Sequence, residues 1–65
     1  MGSLDDAIAA YDAALRVDPK KAISLYGRGL AKRLKGHTAG GDADIAAAKA
    51  IRPTVVDEMI QFGVN

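Results

Sequence analysis

The aliphatic hydroxyl, thiol and imidazole side chains in this chain of 65 residues are few: Ser3, Ser24, Thr38, Thr54 and a single histidine, His37, with no cysteine. A nucleophile needs a base within hydrogen-bond reach and a third group to orient that base, and no such spacing is present, so the chain is read as non-catalytic. His37 lies in the run Gly36-His37-Thr38-Ala39-Gly40-Gly41 and reads as an exposed turn histidine. A metal would want two or more further ligands at loop or helical spacing. Asp42 and Asp44 lack the alternating acids and terminal glutamate of a calcium loop, and fit better as a helix cap and a solvated face. Gly27-Arg28-Gly29 has neither the third glycine nor the preceding strand of a dinucleotide-binding turn, and Gly40-Gly41 is not followed by the Lys-Ser/Thr of a phosphate loop. Gly27 and Gly29 are read as places of close helix approach, and Gly36 to Gly41 as a loop. No cofactor and no metal are expected.

One feature does carry charge chemistry. Arg16, Lys20, Lys21, Arg28, Lys32, Arg33 and Lys35 crowd a stretch whose single acid is Asp18. Of these, Lys21, Arg28, Lys32 and Lys35 fall on one helical stripe, the footprint that nucleic-acid binders display. Only Tyr11, Tyr26 and Phe62 could stack a base, and Tyr11 is needed in the core. The stripe is therefore read first as a solvated face, then as a contact for an acidic protein, and last as a nucleic-acid surface. A net charge of +1 gives no global attraction to nucleic acid or membranes. The apolar runs fall far short of the ~20 residues of a membrane span, and the N-terminus has no secretion pattern, so a cytoplasmic protein is expected.

The elements that must position these residues are helices. Alanine-rich segments punctuated by Gly and Pro imply an all-α chain of about four helices. The first spans about Leu4–Val17, with Leu4, Ala7, Ile8, Tyr11, Ala14 and Leu15 on one arc and Asp5, Asp12 and Arg16 opposite. Asp18 as cap and Pro19 in the first turn would start a second helix that ends near Lys35 at the Gly36 stop. Its apolar stripe of Ile23, Tyr26, Leu30 and Leu34 widens through Ala22, Leu25 and Gly29, enough for two neighbours. Asp42 is expected to cap a third helix, Ala43–Ile51, that turns Ile45, Ala48 and Ile51 inward. After Arg52-Pro53 a fourth, Thr54–Phe62, would present Val55, Val56, Met59, Ile60 and Phe62.

The breaks recur. Gly2, Ala9, Ala13, Ala14, Pro19 and Gly29 reappear 34 residues later as Gly36, Ala43, Ala47, Ala48, Pro53 and Gly63. A period of this length marks a helical-pair repeat, whose units bury their apolar faces only by stacking. On these residues the chain resembles the tetratricopeptide repeat (TPR) family. Gly2, Leu4, Ala7, Tyr11, Ala14 and Pro19 match the turn, second helix and closing proline of one repeat. Residues 20–53 resemble a whole repeat, with Leu25 at the tryptophan position, Gly29 at the glycine, Gly36 at the turn, Ile45 at the aromatic, Ala48 at the later alanine and Pro53 at the close. Residues 54–65 resemble a capping helix. Three positions depart from the pattern: Arg28 stands for a leucine, Lys32 for a tyrosine, and Gly41 for the alanine that seats the helix pair, so the third helix is expected to begin late.

The resemblance implies a single domain of antiparallel helical hairpins stacked as a short right-handed superhelix, with the first helix of the repeat lining a groove. That places Ile23, Tyr26, Gly27, Leu30, Arg33 and Leu34 in a protein-binding surface, Tyr26 and Leu30 as anchors and Arg33 as partner to a carboxylate. Ordinary core packing is the competing reading of the same side chains. A core of this size supplies only ~3–5 kcal/mol, so a homodimer that covers the open ends of the stack is expected. The alternative is a C-terminal cap of a longer array, without a ligand of its own. The clamp that some family members use for terminal carboxylates is not expected, since Asn65 is the only asparagine.

Overall fold

The computed structural model of the protein describes residues 3–55 and 57, and these form three helices and no strand. Helix α1 spans Ser3–Val17, α2 Ala22–Leu34 and α3 Thr38–Ile51. The fourth expected helix falls largely outside the described residues, although Val55 and Asp57 are helical at its start.

The 34-residue period is written in the backbone. At the end of α1 the Asp18 amide donates to the Ala14 carbonyl (2.9 Å) and the Lys21 amide to the Asp18 carbonyl (3.2 Å). One repeat later Arg52 donates to Ala48 (2.9 Å) and Val55 to Arg52 (2.9 Å). Both are four-residue turns with proline at the second position, where its fixed φ is favourable and its missing N–H costs nothing. The Asp18 carboxylate also accepts the Lys20 amide at 3.2 Å, closing an Asx turn. That use of Asp18 and Pro19 corrects the start of the second helix. The side chain expected to cap α2 is engaged in the turn, α2 begins at Ala22, and its N-cap Lys21 makes no side-chain cap bond.

Helix α2 ends as the glycine stop predicts. Gly36 has φ +94°, the His37 amide donates to the Lys32 carbonyl at 2.8 Å, and the Gly36 amide donates to the Arg33 carbonyl at 3.0 Å. This pair of bonds is the Schellman closure, and it hands the chain directly to the next helix. Helix α3 therefore begins at Thr38 rather than Ala43, and Asp42 lies inside it instead of capping it. Two adjacent glycines weaken helix propensity, but Gly41 is buried against the Gly29 carbonyl oxygen, and tertiary packing overrides propensity there.

The core is small and lies where α1 and α3 meet opposite flanks of α2. Leu15, Ala22, Leu25, Ala48 and Val55 form one buried cluster, with Tyr26 and Ala47 packed against it. Helix α2 packs more extensively on α3 than on α1, as the two helices of one hairpin should. The arc of α1 is only half buried except for Leu15, and Ile51, expected to face inward, is 44% exposed. Arg52 already leaves the helix in an extended conformation, so Ile51 is carried past the end of the α2–α3 contact.

Candidate functional site

Three flanks divide α2. Toward α1 it offers Gly27, whose outer side is filled by the Tyr11 phenol ring. Toward α3 it offers Gly29, where an added Cβ would lie 2.6 Å from the Gly41 carbonyl oxygen and 2.7 Å from Ile45 Cγ1. Gly41 answers from the other side, where an added Cβ would lie 2.5 Å from the Gly29 oxygen and from Arg33 Cγ. Glycine at both crossing points lets the two backbones meet closely, so the substitution of Gly41 for alanine tightens the hairpin.

The third flank is left uncovered by α1 and α3. Ile23, Leu30 and Leu34 lie on it, seven and four residues apart, at 40%, 37% and 75% exposure. That spacing keeps them in one row along the helix. Leu30, Arg33, Leu34 and Thr38 line an open depression of about 450 Å³ beside the α2–α3 turn. Arg33 is exposed and makes one long ion pair with Asp42, at 3.5 Å. Of the six residues placed in the binding surface by sequence, Ile23, Leu30, Arg33 and Leu34 are thus solvent-facing, Tyr26 is half buried against the core, and Gly27 is buried under Tyr11. Thr38 joins them unforeseen. Its signal was the Gly36 stop, which can lead straight into a helix.

The basic stripe requires correction. Arg28 is not on a solvated face: its side chain is 21% exposed and all three guanidinium nitrogens are used. Nε and Nη2 donate to the two oxygens of Asp44 at 2.8 and 2.9 Å, and Nη1 donates to Asp12 at 2.6 Å. Lys32 reaches Asp44 at 3.1 Å, and Lys35 pairs with Asp5 of α1. Asp44 is itself buried, contrary to its reading as a solvated residue, and Asp12 is drawn into the same cluster. The two cations and two carboxylates of Arg28, Lys32, Asp12 and Asp44 sum to zero. Lys21 alone of the stripe makes no ion pair among the described residues, which removes most of the electrostatic footprint that a nucleic acid would need.

Charge states follow from this geometry. The hydrogen bond to Asp44 leads the effects that raise the Arg28 guanidinium above its already high ordinary value, against the opposing cost of burial. Burial pushes the Asp44 carboxyl upward, but hydrogen bonds from Arg28 and Lys32 outweigh it and leave the group below its ordinary 3.8. Both remain ionised at neutral pH. The cluster is structural chemistry, saturated and turned inward. Among the described residues no group of three or more His, Asp or Glu side chains is placed to hold a metal, and no helix is long and apolar enough to cross a membrane.

Residues 1–36, which contain α1, the proline turn and α2, match the family model of the TPR repeat. The chain belongs to the TPR repeat family. No curated protein and no solved structure matched it. TPR repeats generally mediate protein–protein interactions, and the family is generally non-catalytic.

Proposed function

We propose that this TPR chain binds a helix or an extended peptide along the outward flank of α2. The exposed row of Ile23, Leu30 and Leu34 carries the proposal. Single exposed apolar side chains are common on protein surfaces, but three in one helical row, two of them lining an open depression, favour a binding surface. Leu30 and Tyr26 anchor the partner and Ile23 and Leu34 extend the contact, while Gly27, buried under Tyr11 on the α1 side, takes no part in it. Arg33 trades its long contact with Asp42 for a partner carboxylate.

Affinity capture with the full chain and with Leu30→Ser/Leu34→Ser, followed by titration of any purified prey, tests this reading. Both leucines are exposed, so the variant should keep its helical circular dichroism while losing at least one prey and its titration signal. If the two proteins capture the same set with equal affinity, the flank is not the binding surface.

Self-association is a second reading, favoured by the half-buried arc of Leu4, Ala7 and Ile8 on α1. A two-fold dimer would cover it. Sedimentation at roughly tens of micromolar should then show twice the chain mass, and a monomer with helicity unchanged on dilution would refute it. The alternative of a terminal cap is supported by Val55, which leads the expected capping segment and is wholly buried. On that reading, adding preceding repeats raises stability and abolishes self-association.

A further inference from the structure

Among the described residues helix α1 packs on α2 and not on α3, so most of what fixes its register lies on one face of α2. That face reads as a ladder. Lys35 pairs with Asp5, Arg28 takes Asp12 at 2.6 Å, and Gly27 leaves room for the Tyr11 ring. Asp5 and Asp12 are two helical turns apart, as are Arg28 and Lys35, so the antiparallel pair brings both charges into contact together. A slip of one turn would break both at once and leave the partly buried Arg28 facing α1 without a carboxylate there.

The equivalent face of α3 lacks this pattern. One repeat after Asp5 and Asp12 stand Ala39 and Ala46, both exposed. A helix like α2 laid on α3 would leave its lysine with no acid opposite, and its arginine, still held by its own Asp44, without the second carboxylate that Asp12 supplies. A small repeat protein with two similar second helices needs such discrimination, because open head-to-tail addition of copies leads to filaments.

We propose that Arg28 and Lys35 are a pairing code, by which α2 accepts a helix carrying two acids seven residues apart, in one register, and refuses a helix with the pattern of α3. The code concerns which repeat neighbours which, and it holds whatever ligand the outer flank takes. Asp5→Ala/Asp12→Ala gives α1 the α3 pattern at these two positions, and amide exchange read residue by residue by NMR reports its docking. Exchange in α1 should quicken roughly tenfold or more while α2 and α3 keep their rates. Adding Arg28→Leu/Lys35→Ala removes the cations and should restore α1 protection, with Asp44 still paired to Lys32. Unchanged protection of α1 in the first variant overturns the code. Should the first variant lose protection throughout, the second decides: recovery supports the code, and failure to recover overturns it, as it does if α1 alone was lost.

Discussion

Adjacent glycines in α3 have opposite duties. A Cβ on Gly41 would meet the Gly29 carbonyl oxygen and Arg33 Cγ at 2.5 Å, whereas on Gly40 its nearest neighbour is Lys32 Cδ at 3.7 Å, an ordinary contact. Gly41→Ala should therefore cost ~1–3 kcal/mol through overpacking, while Gly40→Ala gains up to ~1 kcal/mol from helix propensity. Thermal denaturation of the two variants should move in opposite directions. Asp44 gives a second residue-level prediction. Its carboxyl is depressed in the fold, so its contribution is complete above the ordinary 3.8 and is lost as pH falls through the lower folded value. The melting temperature should drop below about pH 4, and Asp44→Asn, already destabilised at neutral pH, should show a shallower acid limb.

At the level of elements, the helices differ in how well their ends are satisfied. The C-terminus of α2 has both Schellman bonds, but its N-cap is Lys21, in the extended region at φ −75°, ψ 99°, without a side-chain cap bond. A cation there also opposes the helix dipole. Lys21→Ser supplies the missing acceptor in a backbone already suited to it, and should raise stability by ~1 kcal/mol in a urea titration. Helix α1, joined to α2 by the Asp18–Lys21 turn and held by the ladder of charges, is the element whose docking the ions decide. The hairpin of α2 and α3 adds to its ion pairs at Asp44 and Asp42 a close backbone approach at Gly29 and Gly41.

For the whole molecule the core is short of material. Among the described residues six apolar side chains are buried, two of them alanines in α2 and one an alanine in α3. Val55, wholly buried and beyond α3, therefore carries a large share of the packing. Val55→Ala should cost about 2 kcal/mol, a substantial part of the ~3–5 kcal/mol such a core provides. Calorimetry with an unchanged melting temperature would show that the segment after Pro53 is dispensable. So thin a core also explains why stacking matters to this family, since each further repeat buries the face its neighbour leaves open.

The amino-acid sequence determined what repeats along a line. The helix faces follow from 3.6-residue periodicity, the breaks from Pro19, Gly36 and Pro53, and the family from the 34-residue recurrence. The same periodicity set Ile23, Tyr26, Leu30 and Leu34 on one stripe of α2, of which Ile23, Leu30 and Leu34 are exposed and Tyr26 is half buried. The tertiary structure decided what depends on which chains of atoms meet. Arg28 finds Asp12 and Asp44 sixteen residues away on either side, and Lys35 finds Asp5 thirty residues away. A helical wheel gives each side chain an angle but no partner, so a stripe of cations looks solvated until the neighbouring helices bring acids to it. The early start of α3 is of the same kind, because two glycines that disfavour a helix by propensity become its point of closest packing once another backbone lies against them.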